Sequence, residues 1–101
     1  MWWPLRPRAR FINYRYGHPG QNLRVVFYQG EIWLNQKQLA AIFGITTATI
    51  SEHLQKIWRQ GKFDKNEYAR TFKTPGADGK IYDMMYYRLE ILEEIDERVN
   101  K

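Results

Sequence analysis

Four side chains of this 101-residue chain have the types and the spacing to contact the bases of a DNA duplex. Gln55 can exchange two hydrogen bonds with adenine, and the methyl group of Ala48 or Thr47 can touch the methyl group of thymine. Ser51 adds a short hydroxyl, whereas Glu52 suits only cytosine or the rejection of other sites. If this stretch is a helix in the major groove, the predicted base contacts are Thr47, Ala48, Ser51 and Gln55.

Two short helices joined by a turn must position these side chains. Asn35 is a suitable N-cap for the first helix, and Gln38 can return a hydrogen bond to it in a capping box. Leu34 and Leu39 stand in the two positions of a hydrophobic staple. Gly44 can adopt the left-handed backbone that ends a helix. The pattern predicts a first helix that begins after Asn35 and ends at Gly44.

The second helix shows the same signals, with Thr46 as its cap and Gly61 as its stop. Apolar side chains at helical spacing predict a buried stripe of Ile50, Leu54, Ile57 and Trp58. His53 stands where such motifs usually carry an aliphatic residue, so this part of the core is expected to be partly wet. Residues 35–60 are predicted to form a helix-turn-helix with helix 46–59 in the major groove, although an ordinary helical hairpin has the same pattern.

Positive charge is unevenly distributed along the chain. The net charge is +5, but residues 90–101 hold five acids against two bases, so the first 89 residues carry +8. Such a basic body suits a polyanion, although surface charge can also serve solubility alone. The predicted phosphate contacts are Lys37, Thr46, Lys56, Arg59, Arg70, Lys73 and Lys80, with Arg88 a further basic residue nearby.

The N-terminal third of the chain predicts strands. The β-branched and aromatic runs Phe11–Tyr16 and Leu23–Tyr28 predict a β-hairpin, and a short strand, Ile32–Leu34, leads into the first helix. Residues 1–10, which include two adjacent tryptophans, are predicted to form an irregular basic arm. The arm can follow a minor groove or a phosphate backbone, dock on the body or on a second subunit, or stay unordered.

A second hairpin follows the helix pair, after a polar connection at Asp64–Glu67. Its predicted strands, Tyr68–Thr74 and Lys80–Leu89, flank the turn residues 75–79. A hairpin in this place is what a winged helix requires. The final segment, Leu89–Val99, has apolar residues at helical spacing, and such a helix can close the core or pair with a copy of itself.

The length of the chain allows one domain with a modest core. The predicted fold is α+β, a winged helix-turn-helix with an N-terminal β-hairpin and a C-terminal helix. Its predicted parts are the arm at 1–10 and a single DNA-binding domain at 11–101, with the helix-turn-helix at 35–60, the wing at 68–89 and the C-terminal helix at 89–100.

The composition argues against several other classes of function. Without cysteine the chain has no disulfides and no thiolate chemistry, and the separated His18 and His53 give no metal cluster. No apolar run reaches the length of a membrane span and no signal peptide opens the chain, which favours a cytoplasmic, nucleoid-associated protein. Adjacent Glu52 and His53 point in different directions on a helix. Without a readable catalytic motif, we expect no enzyme, no cofactor and no small-molecule ligand.

Two spaced blocks of sequence carry a family resemblance. The first contains Ile32-Trp33-Leu34-Asn35-Gln36, Leu39-Ala40, Phe43-Gly44-Ile45, Ile50, Glu52-His53-Leu54 and Ile57. The second contains Arg70-Thr71-Phe72, Ala77-Asp78-Gly79-Lys80-Ile81-Tyr82 and Tyr86-Tyr87-Arg88-Leu89. From Val26 to about Leu89, roughly two-thirds of its length, the chain resembles the N-terminal region of the RhuM-type virulence-associated proteins of bacteria.

The resemblance implies a DNA-binding domain in a family whose biochemical role is poorly defined. Glu90–Lys101 departs from the less acidic last helix of that family, and Met1–Arg10 has no counterpart in it. The chain is therefore either a free-standing domain or a piece of a longer protein.

These patterns together predict sequence-specific binding to double-stranded DNA by a bacterial or prophage-type transcriptional regulator. A homodimer is expected to form through the C-terminal helix or the Trp-rich arm. The alternative is a protein-interaction module that retains a winged-helix fold without DNA binding, and the acidic final helix and the arm favour it.

Overall fold

Five strands and four helices follow one another in the computed structural model, which describes residues 9–17 and 20–99. All strand pairs are antiparallel, so the α+β class predicted from the sequence is confirmed. In chain order the elements are β1 (Arg10–Tyr16), β2 (Gln21–Tyr28), β3 (Glu31–Asn35), α1 (Gln36–Phe43), α2 (Thr47–Gln60), α3 (Lys65–Tyr68), β4 (Ala69–Pro75), β5 (Ile81–Arg88) and α4 (Leu89–Val99).

The two predicted hairpins belong to one sheet, in the order β1-β2-β3-β5-β4. They are joined by the antiparallel pairing of β3 with β5, in which Leu34 lies opposite Tyr87. The sequence predicted both hairpins and a short strand at β3, but it did not predict this pairing. β3 runs from Glu31 to Asn35, one residue longer at each end than predicted.

Both helix starts predicted from side-chain caps are confirmed. The Asn35 side chain accepts the Gln38 backbone N–H at 2.9 Å, and the Gln38 side chain accepts the Asn35 backbone N–H at 2.9 Å. These two bonds complete the capping box at α1. At α2, Thr46 Oγ1 accepts the Thr49 backbone N–H at 3.1 Å.

The main core lies between the helices and one face of the sheet. It contains the predicted stripe of α2, since Ile50, Leu54 and Ile57 are buried and Trp58 is half-buried. His53 is half-buried on the same helix. The stripe therefore packs into the core mainly beside α1 and α4, and the opposite side of α2 faces solvent.

The last helix, α4, closes this core. Ile91, Leu92 and Ile95 are fully buried, and each such side chain contributes about 1.5–3 kcal/mol relative to an exposed one. Leu89 and Val99, at the two ends of α4, are half-buried against the same core. Of the two roles predicted for this helix, closing the core is the one that its apolar residues perform here.

A second apolar cluster lies on the other face of the sheet and is built from strand residues. Its buried members are Val26, Trp33, Phe72 and Tyr86. The Phe72 ring makes edge-to-face contacts with the rings of Tyr28, Trp33 and Tyr86, at centroid distances of 5.2, 5.6 and 5.6 Å. The sheet therefore has apolar side chains packed on both of its faces.

The polar connection predicted at Asp64–Glu67 contains a short helix that the sequence did not predict. Residues Lys65–Tyr68 form α3, a single helical turn, and Asp64 is its cap because its carboxylate accepts the Asn66 N–H at 2.9 Å. Tyr68 belongs to this turn rather than to a strand, and its ring packs edge-to-face on Phe63 at 5.0 Å. The aspartate cap and this aromatic contact stabilise a turn that is too short to show a helical period.

Some predictions fall on residues outside the described ranges. These are the course of the arm over Met1–Arg8, the loop residue His18, and the last residue of the predicted helix 89–100. The predicted arm included Arg10, but the structure makes Arg10 the first residue of β1.

Glycines end α1 and α2 as predicted. Gly44 and Gly61 have left-handed φ values of 65° and 77°. Residues that carry a Cβ adopt this backbone conformation only at a cost in free energy. A Cβ added at Gly44 would meet no atom within 4 Å, so a substitution there acts through the backbone alone.

We predict that Gly44→Ala destabilises the protein by about 1–2 kcal/mol, the cost of a left-handed alanine. This corresponds to a drop in melting temperature of about 4–8 °C per kcal/mol for a domain of this size. Gly44→Asn is the matched control, because asparagine tolerates this conformation better and should lose less. Thermal unfolding followed by circular dichroism measures both. An alanine variant as stable as the original chain would refute the strain argument.

Candidate nucleic-acid interface

The starts of α1 and α2 are tied together by a hydrogen bond. The side-chain amide of Gln36, the first residue of α1, donates to the Thr47 carbonyl at 2.8 Å. The turn between the helices closes through the Ile45 N–H, which donates to the Ala40 carbonyl at 3.1 Å. Gln36 was absent from the predicted site residues. A long amide side chain directly after the Asn35 cap was the only signal for it.

The outer side of α2 presents most of the predicted base contacts. Thr47, Ala48 and Gln55 are exposed, and Ser51 is half-buried. With about 3.6 residues per turn, Ala48 and Gln55 project away from the buried stripe, whereas Ser51 lies toward its edge. Glu52 is also exposed and shares the middle of this surface. Any partner that binds this surface must therefore accommodate the Glu52 carboxylate beside the hydrogen-bonding side chains.

Four predicted phosphate contacts lie exposed on α1, on α2 or at the α2 cap. They are Lys37, Thr46, Lys56 and Arg59. The Thr46 hydroxyl is already engaged, because it caps α2 and lies 3.0 Å from the Thr49 hydroxyl. Lys56 and Arg59, the two basic residues of this set that belong to α2, therefore lie on the same helix as the predicted base contacts.

The remaining predicted phosphate contacts lie on the β4–β5 hairpin and are not brought together. Lys80 is exposed at the turn. Lys73 pairs with Asp83 at 3.1 Å, but both side chains are mostly exposed, so the pair is weak and screened by salt. Arg70 lies opposite Tyr86 in the β4–β5 register, so its side chain is on the sheet face away from the helices. Its guanidinium lies 5.1 Å from the centroid of the Tyr28 ring.

Arg88 is mostly buried and makes ion pairs within the fold. Its side chain is 16% exposed, and it forms ion pairs with Glu31 at 2.9 Å, Glu90 at 3.3 Å and Glu67 at 3.5 Å. Its guanidinium also lies 4.7 Å from the centroid of the Tyr68 ring. Because the negative charges of three carboxylates offset the positive charge of Arg88, this side chain would attract a phosphate only weakly.

The position of α2 relative to β5 is set by an aromatic stack. The rings of Trp58 and Tyr87 are nearly parallel, with centroids 6.3 Å apart. Burial raises the pKa of the Tyr87 phenol. This contact joins the inner side of α2 to β5, the second strand of the β4–β5 hairpin.

The turn of the β4–β5 hairpin has a defined internal structure. The Tyr82 ring covers Gly76 so closely that a Cβ there would lie 2.5 Å from it. The Tyr82 hydroxyl donates to the Asp78 carboxylate, which also accepts the Lys80 backbone N–H at 3.0 Å. The hydrogen bond from Tyr82, and secondarily the one from Lys80, lowers the pKa of the Asp78 carboxyl. The same contact with Asp78 raises the pKa of the Tyr82 phenol.

Comparison with protein-family models, curated proteins and solved structures gave no match for this chain. Within residues 9–17 and 20–99, no group of three or more His, Asp or Glu side chains is arranged to hold a metal ion. Over the same ranges, no helix combines the length and the apolar character that crossing a membrane requires.

We predict that Tyr82→Phe raises the pKa of Asp78 toward its ordinary value, because the main hydrogen bond to the carboxylate is removed. Since the folded pKa lies below the unfolded one, the stabilisation from this bond is present above the unfolded pKa and is lost as pH falls through the folded pKa. Titration of the carboxyl carbon by NMR measures the shift. Tyr86→Phe is the control, because the Tyr86 hydroxyl contacts Thr74 at 3.2 Å. An unchanged Asp78 pKa in Tyr82→Phe would contradict the assignment.

Proposed function

We propose that this protein binds double-stranded DNA through α2, as a winged helix-turn-helix regulator of bacterial or prophage type. The observation that carries the proposal is the α1–α2 pair. Both helices are capped by side chains, their starts are joined by the bond between Gln36 and Thr47, and the left-handed Gly44 forms the turn. This arrangement holds a helix with an exposed polar side against a packed body, as insertion in a major groove requires.

In this proposal the contacts divide between two kinds of partner atoms. Gln55 and Ala48 face the base edges directly, with Thr47 and Ser51 beside them. Lys37, Lys56 and Arg59 bind phosphates on either side of the groove, and the Thr46 end of α2 adds a helix N-terminus. The β4–β5 hairpin is the wing, and Lys80 at its turn reaches the backbone.

Two further features support the proposal. The first 89 residues carry a net charge of +8, which favours association with a polyanion. The two sequence blocks that resemble the RhuM-type proteins coincide with the helix pair and with the β4–β5 hairpin, the two parts that would contact DNA. We extend the proposal to that relationship and to a homodimer, which would read two half-sites one helical turn apart.

Binding to duplex DNA at two salt concentrations tests the proposal. We expect Lys56→Ala to weaken binding to all sequences alike and to reduce the slope of log K against log salt by about one. Gln55→Ala should instead cost about 1–3 kcal/mol of discrimination at one base position, with little change in the salt slope. Site selection from random duplexes, followed by titration of the selected site, supplies both measurements.

Arg15→Ala is the matched control for Lys56→Ala. It removes the same charge from an exposed residue that alternates with Phe11 on the face of the sheet away from the helices. It should therefore leave the salt slope nearly unchanged. If the chain fails to bind at low salt, or binds without salt dependence, the proposal fails. The protein-interaction module would then be the better account.

A further inference from the structure

A small cavity lies where the C-terminal end of α2 meets the C-terminal end of α4. Its volume is about 240 Å³, and the described residues that line it are Lys56, Arg59, Gln60 and Arg98. Three of these side chains are cationic and the fourth offers an amide. The cavity is smaller than the about 300–1,000 Å³ of pockets that hold drug-sized ligands, so a compact anion fits it better.

Arg98 is the unexpected member of this group. It is the only cation in α4, a helix that otherwise carries acids. Its guanidinium is held by a hydrogen bond from Nη2 to the side-chain oxygen of Gln60, so an arginine of the last helix reaches α2. No pattern in the sequence points to a role for Arg98.

The charge of Arg98 is only loosely compensated. Glu94 Oε2 lies 3.9 Å from Arg98 Nε, beyond hydrogen-bond distance, and this nitrogen has no acceptor among the described residues. Glu94 is also shared with Lys62, whose ammonium lies 3.4 Å from Oε1 of the same carboxylate. One carboxylate therefore serves two cations, and the positive charge along the cavity is in excess.

We propose that this cavity binds a phosphate group. Arginine presents a planar fork of donors that suits phosphate oxygens, and the lysine adds a point charge. The helix ends contribute only about half a negative charge each, so three cations outweigh them. The phosphate has two possible sources, the DNA backbone beside α2 or a free phosphorylated small molecule. The site itself does not require that the chain bind DNA.

Titration of the full chain with inorganic phosphate, at constant ionic strength against chloride, tests the site without DNA. We expect saturable NMR shifts of the Gln60 side-chain amide and of the Arg98 Nε–H. Arg98→Gln should weaken phosphate binding by about tenfold, because it removes a charge-assisted hydrogen bond. Arg98→Lys should lose less binding than Arg98→Gln, since it keeps the charge but not the planar fork of donors.

Lys62→Gln is the matched control. It removes a cation that contacts the same Glu94 but is not among the residues that line the cavity. Phosphate binding should therefore persist in it, and the melting temperature of each variant should confirm an intact fold. Shifts that do not saturate, or equal losses in Arg98→Gln and Lys62→Gln, would mean that only general electrostatics acts, and they would overturn the proposal.

Duplex titrations of the same variants identify the source of the phosphate. If Arg98→Gln lowers the salt slope of DNA binding by about one, the site takes a backbone phosphate. If phosphate binds saturably but this slope is unchanged, the site takes a free phosphate group. A chain that binds phosphate but no duplex supports the site and refutes the proposed DNA binding, so the two failures are distinguishable.

Discussion

The pairing of β3 with β5 is the constraint on which the rest of the structure depends. β3 leads directly into α1, because Asn35 is both the last residue of the strand and the cap of the helix. β5 leads directly into α4, which begins at Leu89. The ladder therefore fixes where both helices start on the sheet. Without it, the protein would contain separate hairpins, which are marginally stable in water.

Side-chain contacts from β5 fix the positions of the other helices relative to this ladder. Tyr87, opposite Leu34 in the register, stacks on Trp58 of α2, and the next residue, Arg88, draws together carboxylates from β3, α3 and α4. α2 is further held by Gln36 from α1 and by Arg98 from α4. These contacts surround the helix on its inner side and flanks. Its outer side is the part left for a partner, whatever the partner is.

Local chemistry made much of this fold predictable. The capping box at Asn35, the cap at Thr46 and the stop at Gly44 are signals within a few residues, and each appears in the structure as the sequence predicts. The β3–β5 pairing, the partners of Arg88 and the face occupied by Arg70 depend on distant residues. A shift of one residue in strand register would move Arg70 to the other face, and no local pattern fixes that register. α3 escaped prediction because one turn shows no period.

The same long-range contacts change the distribution of usable charge. By sequence, the β4–β5 hairpin is rich in basic residues, but Arg88 is enclosed by carboxylates, Lys73 faces Asp83, and the turn contains Asp78. Lys56 and Arg59 of α2 remain exposed. If the chain binds DNA as proposed, the helix that supplies the base contacts also supplies two of the phosphate contacts, Lys56 and Arg59. Phosphate contacts set the register of a protein on its duplex. In this protein, therefore, α2 would both read the base sequence and set the register of the protein on the duplex. The β4–β5 hairpin would contribute little to that register.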